Sequence, residues 1–240
     1  MAVTGKKILV LFAHPDDAEF LCGGTVAKLV RDGNEVIYIS ATDGNRGMHT
    51  TEVTPEVMVQ VRRREMRAAA EVLGVKEVIF LGYEDGQLKE ARNLVGDFMR
   101  AIRKIRPDIL LTFDAWRPYE LHPDHRTVGF AAAEAGYLAD SPWYYPEHVV
   151  EKLEPYKPQE NYLFAPGESN YWVDISDTIE LKIEALKCHA SQVAEPGFAP
   201  PDAMERLPER IRAWAAQVGQ PQGLAYAEAF RKLGRSDLEI

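Results

Sequence analysis

Two periodicities take turns along the first half of the chain. Uninterrupted apolar runs at 7–13 (KILVLFA), 35–41 (EVIYISA), 77–81 and 108–113 (DILLTF) read as short buried strands. The stretches between them space their apolar residues three and four apart, which is helical. Residues 17–32 carry Phe20, Leu21, Ala27, Leu29 and Val30 and stop at Gly33, a helix with a glycine terminator. Residues 56–73 predict a longer helix stopped by Gly74, 93–106 a helix closed by Pro107, and 127–138 a further one. Residues 42–55 are polar and glycine-bearing and read as a loop.

Strand and helix alternating over short connections predict an α/β fold, a Rossmann-like, mostly parallel sheet with helices on both faces. The second half is less regular and predicts a smaller, irregular α/β part. Residues 141–171 are rich in proline and aromatics, including Trp143, Tyr144 and Tyr145. Residues 162–165 and 171–175 read as strands, and 177–193 as a helix capped by Ser176 or Asp177. Residues 195–208 read as a proline-rich loop, and the tail from Glu209 as a charged helix. With no internal repeat and no firm boundary, 1–240 is expected to form one domain, a core of 5–195 and a C-terminal extension of 196–240.

Composition narrows the possible partners. A net charge of −9 repels a phosphate backbone and excludes nucleic acid as an expected partner. Two cysteines, Cys22 and Cys188, are too few for a disulfide framework and suit a reducing compartment. The apolar run 8–13 is too short for a signal sequence, and no stretch is long enough to insert into a membrane. A cytoplasmic protein is expected.

Two clusters carry chemistry. The first is His14-Pro15-Asp16-Asp17-Ala18-Glu19, directly after the first strand. The second, His122-Pro123-Asp124-His125, follows the fourth. In a parallel sheet, ligands bind beyond the carboxyl ends of the strands, so the two clusters can share a site. His14, Asp17 and His125 can then converge on one ion, the three-ligand pattern of a catalytic zinc centre with an open position. Asp16 and Asp17 are adjacent and cannot both point at the metal from an extended turn. One can bind it while the other faces the attacking water as general base. Pro123 suits the first turn of a helix and places His122 at its cap. His122 would lie near the ion to stabilise an oxyanion and protonate a leaving amine. Asp124 can orient one of the histidines. His49, His148 and His189 read as capping or surface residues.

On these motifs the chain resembles the PIG-L/LmbE family of zinc-dependent N-deacetylases. The likeness extends through Gly23-Gly24-Thr25, the helix 62–74, Leu81-Gly82-Tyr83 and Trp116-Arg117-Pro118-Tyr119-Glu120. The last stretch looks most like the diacetylchitobiose deacetylase branch. The resemblance implies His14, Asp17 and His125 as zinc ligands, with one ion per chain; iron or cobalt would also suit these residues. It implies Asp16 as general base, His122 as oxyanion stabiliser and general acid, and Asp124 as the orienting partner of His122. It further implies that Arg62 contacts the substrate and that Asp85 binds a sugar hydroxyl. The expected substrate is an N-acetylated amino sugar (GlcNAc, diacetylchitobiose or a GlcNAc conjugate), and the expected assembly is a homo-oligomer, trimer or hexamer. Ala18, between Asp17 and Glu19, departs from members that read Asp-Asp-Glu directly. It leaves Glu19 as a carboxylate at a helix start, favoured by the helix dipole.

Two other readings use the same residues. Two histidines and a carboxylate also form the facial triad of non-haem iron oxygenases, which usually sit on β-barrels. A non-catalytic sugar-binding module is the third reading, and the presence of both Asp16 and His122 argues against it. Among the remaining features, Arg63 and Arg64 read as surface pairs, and Cys22 as a small buried residue. Gly23-Gly24 reads as a site of close helix–sheet packing, and Trp116, Tyr119, Trp143 and Tyr144 as core or interface anchors or sugar platforms.

Overall fold

Strand β1 (Lys7–Phe12) is buried beyond its first residue because it has a parallel neighbour on each side. In this computed structural model, which describes residues 3–234, β2 (Glu35–Thr42) flanks β1 on one side and β4 (Ile109–Phe113) on the other. Strand β3 (Glu77–Tyr83) pairs with β2, and β5 (Glu160–Phe164) with β4, all in parallel. The apolar runs of the sequence are thus the centre of a seven-stranded sheet of order β3-β2-β1-β4-β5-β7-β6.

Helices α1 (Asp17–Arg31) and α2 (Pro55–Leu73) pack together on one face with α6 (Ile179–Lys187), which in turn meets α8 (Ala203–Gly219). The other face carries α3 (Leu94–Ile105) and α4 (Pro123–Leu138). Gly74 ends α2 in the left-handed conformation that glycine adopts without cost. The expected α/β architecture, mostly parallel with helices on both faces, is present.

The C-terminal part departs from expectation. Strand β7 (Ala227–Leu233) lies where the charged tail predicts helix. It inserts antiparallel between β5 and β6 (Tyr171–Asp174). Ala, Glu, Arg, Lys and Leu favour helix intrinsically, but two neighbouring ladders override propensity. The predicted helix 177–193 is split: α6 stops at Lys187, and α7 (Ala190–Val193) restarts after His189. Helix α8 begins inside the predicted loop and runs through Pro208. Its buried stripe of Ala203, Leu207, Ile211 and Ala215 recurs every four residues and outweighs the one hydrogen bond a proline removes. A one-turn helix, α5 (Glu147–Val150), lies in the aromatic-rich region.

Strand β7 also reaches α1. That helix is kinked at Cys22, whose φ is −144°. The kink frees the N–H groups of Gly24 and Thr25, and both donate to the Glu228 carboxylate, at 2.9 and 2.7 Å. A Cβ on Gly24 would come within 2.8 Å of Ile175, just past β6, and one on Gly23 within 3.4 Å of Lys182 on α6, so the close approach at this pair is to a turn and a helix rather than to a strand. Cys22 is fully buried, as read.

Candidate functional site

The two clusters meet above the carboxyl ends of β1 and β4. Thr42, at the end of β2, closes the floor by donating its backbone N–H and its hydroxyl to the Ala13 carbonyl. Asp16 turns the chain into α1 with φ 118°, a left-handed conformation uncommon outside glycine. Asp17 then opens the helix with its side chain directed back: Oδ2 accepts the His14 N–H at 2.7 Å. His122 caps α4 ahead of Pro123, as expected, and its Nδ1 accepts the Asp124 N–H at 3.3 Å.

His14, Asp17 and His125 come together. Asp17 Oδ2 lies 3.4 Å from His14 Nδ1, and Asp17 Oδ1 lies 3.3 Å from His125 Nε2. Two ligands on one tetrahedral zinc, with bonds of about 2.0–2.1 Å, stand roughly 3.3 Å apart. His122 joins the group, with ligand-type atoms of His14, His122 and His125 all within 4.8 Å of one another. The two imidazoles and one carboxylate are a donor set that suits zinc.

The adjacent aspartates are pushed in opposite directions. Burial raises the Asp16 carboxyl above the ordinary range, with Arg62 opposing it and Asp17 adding to it. Burial also acts on Asp17, but His125 and His14 outweigh it and hold its carboxyl far below that range. Neighbouring acids driven apart in this way take different roles. Burial and the charges of His14 and His125 lower the His122 imidazole. With Nδ1 accepting from the Asp124 N–H, a neutral His122 ring carries its proton on Nε2.

Three residues have partners inside the protein that the sequence did not specify. The Asp124 carboxylate lies on His14 Nε2 at 3.2 Å rather than on the His122 ring, and it accepts the N–H groups of Gly86 and Leu88. Only its backbone touches His122, because the first turn of α4 points the carboxylate inward. Asp85 is also turned in, with Oδ1 3.1 Å from His14 Nε2 and Oδ2 accepting the Arg46 N–H. It is buried and engaged by these two partners. Arg62 is 3% exposed, pairs with Asp16 Oδ2 at 3.2 Å, and donates to the Pro15 and Gly44 carbonyls. It anchors the Asp16 carboxylate from inside the fold.

Several other side chains had no role in the site on sequence alone. Glu19, read as a helix-start carboxylate, is fully buried against His189 at 3.2 Å. His189 is therefore no surface residue, although it does sit at the start of α7. His148 is fully buried too, accepting from Arg103 at 2.8 Å. His49 fits its surface reading, pairing with Glu195 and stacked on Phe198. Arg63 pairs with Asp43 through two hydrogen bonds. Glu120 lies 3.5 Å from His125 Nδ1. Its place two residues before His122 was the available signal, since a carboxylate beside a metal-binding motif is a ready partner for a histidine.

Residues 9–136, more than half of the chain, match the PIG-L family, GlcNAc-PI de-N-acetylase. The chain belongs to this family. It is 37% identical to a diacetylchitobiose deacetylase of Thermococcus kodakarensis, over 94% of this chain and 82% of that protein. It is 30% identical to a probable N-acetyl-alpha-D-glucosaminyl L-malate deacetylase 2 of Bacillus cereus, over 78% of this chain and 84% of that one. The N,N'-diacetylchitobiose deacetylase of Pyrococcus horikoshii, solved with an inhibitor, superposes with a TM-score of 0.90 at 35% identity. That match covers 98% of this chain and 86% of the other. Among the described residues, no helix is long and apolar enough to cross a membrane.

Proposed function

We propose that the protein hydrolyses the acetamido group of an N-acetylated amino sugar, giving acetate and the free amine, with one zinc ion per chain. The observation that carries this is the opposed pair Asp16 and Asp17 beside His14 and His125. Relatives named as deacetylases of diacetylchitobiose and of a GlcNAc conjugate support the substrate class.

His14 Nδ1, Asp17 and His125 Nε2 would hold the ion. A second group, His14 with Asp85 and Asp124, brings three potential ligands together. Its carboxylates already accept three backbone N–H groups, which favours the ion position at His14, Asp17 and His125. Bound zinc polarises the amide carbonyl and lowers the pKa of water to about 7. Asp16, with its raised pKa, accepts the proton of the attacking water. Arg62 keeps that carboxylate in place. The His122 Nε2–H donates to the developing oxyanion, and the leaving nitrogen draws its proton from the Asp16–His122 pair. Iron or cobalt would occupy the same donors.

Cys22 and Cys188, both free, support a reducing, cytoplasmic setting. Exposed Phe130, Tyr137 and Trp143 support a homo-oligomer, trimer or hexamer, which sedimentation velocity tests.

The test is acetate release by zinc-loaded protein from GlcNAc, diacetylchitobiose and GlcNAc-malate, with a chelator-treated control. Chelator-sensitive release from one of them is the expected result. No release from any, with zinc bound, overturns the substrate class and favours a binding module.

A further inference from the structure

We infer that Glu120 is a positioning residue that fixes which nitrogen of His125 faces the metal. The inference rests on the zinc site proposed above and adds a side chain to it.

The His125 ring has two distinct sides. Nε2 faces Asp17 Oδ1 at 3.3 Å, and Nδ1 faces Glu120 Oε1 at 3.5 Å. The ring stacks on Phe113, with centroids 4.3 Å apart and planes 15° from parallel. Stacking sets the plane of the ring but not its flip, because turning an imidazole over exchanges its nitrogens within nearly the same outline. A carboxylate on one side decides the flip. Facing Nδ1 at 3.5 Å, it favours the tautomer with the proton on that nitrogen and leaves the Nε2 lone pair free for a cation.

Glu120 is itself held. Its Oε1 also accepts the His122 N–H at 3.0 Å, and its Oε2 pairs with Arg117 at 3.4 Å. Arg126 donates to its backbone carbonyl. Tyr119, just before it, has φ 63°, a left-handed turn that sends the next side chain back toward the site while Tyr119 itself stays exposed. One oxygen therefore touches both histidines of the second motif. His14 repeats the arrangement, with Nδ1 toward Asp17 and Nε2 on Asp85 and Asp124. The carboxylates behind His14 are buried in the fold, whereas Glu120 comes from a loop and can be changed without opening the core.

The plainer role, tethering the start of α4 through the His122 N–H, would affect stability and leave the His125 tautomer alone. The test compares wild type, Glu120→Ala, Glu120→Gln and His125→Ala. Zinc affinity is measured by competition with a chelating dye, His125 ring nitrogens by NMR on ¹⁵N-histidine-labelled, zinc-loaded protein, and unfolding temperature with metal removed. Glu120→Ala is expected to weaken zinc about 10–100-fold and to disturb the Nδ1–H signal of His125. Glu120→Gln, whose side-chain oxygen still accepts that proton, recovers most of both. Zinc affinity in Glu120→Ala within roughly threefold of wild type, or an unchanged His125 tautomer, overturns the inference. Equal zinc binding by wild type and His125→Ala instead overturns the proposed ion position, whatever Glu120 does.

Discussion

Asp16 Oδ2 lies 3.2 Å from Arg62 Nη2, and the same guanidinium also donates to the Pro15 and Gly44 carbonyls. Arg62 thus ties the left-handed turn at Asp16 to the loop after β2. Removing it frees a carboxylate that must be aligned to the ångström, which is worth on the order of 10²-fold in rate. Arg62→Ala is expected to lower kcat by about that factor with zinc content unchanged. Arg62→Lys should recover part of it. Steady-state kinetics with metal analysis checks this; a change confined to KM would mean that Arg62 touches substrate.

Asp16 and Asp17 are expected to separate cleanly under the same substitution. Asp16→Asn should retain zinc and lose roughly 10²–10⁴-fold in kcat. Asp17→Asn should lose zinc first, with activity following metal occupancy. Metal content and turnover measured on the same samples decide it, and full turnover in Asp16→Asn would sink the mechanism.

The buried His189–Glu19 pair makes stability depend on pH. Burial opposes the charge on His189, but the Glu19 hydrogen bond and charge outweigh it and raise its pKa above 6.5. The folded state therefore binds a proton that the unfolded chain releases near 6.5. The stabilisation is complete below that pH and is lost as pH rises through the raised value. Thermal unfolding of metal-free protein should show this decline, and His189→Gln should flatten it. An unchanged slope in the variant would exclude His189 as its source.

Lys182 and Glu228 meet at 2.5 Å with almost no exposure. Lys182 also donates to the Phe20 carbonyl. Breaking a buried pair by removing one partner costs about 3–5 kcal/mol. Glu228→Ala is expected to lose about that much in urea unfolding, and the double variant Lys182→Met, Glu228→Gln to recover part of it. Additive single losses would mean that the two charges do not depend on each other.

The parallel half of the fold was readable because each strand is an apolar run with a helix period on either side. The two histidine–aspartate clusters were readable as a candidate site because both directly follow central strands. What stayed hidden depends on partners far along the chain. The sequence around Glu228 is built of helix formers, and its strand becomes visible only once β5 and β6 flank it. Glu19 resembles any first-turn acid until His189 is brought against it from 170 residues away. Asp85 and Asp124 have the right chemistry, but the direction of each carboxylate follows from backbone N–H groups that only the folded loops supply. Family likeness pointed to Arg62 and Asp85, but their buried pairings with Asp16 and His14 are visible only in the fold.

The antiparallel insertion of β7 bears on how the protein is made. All three proposed metal ligands have been synthesised once residue 125 is added, yet Glu228, which holds the kink in α1, lies 204 residues beyond Gly24. At about 5–20 residues per second, the ribosome needs roughly 5–20 s more to deliver β7. During that interval the nascent chain carries every proposed metal ligand without the strand that completes its sheet. Native closure is set by the last strand to emerge, and the early, open chain is the form on which chaperones and stray metal ions would act.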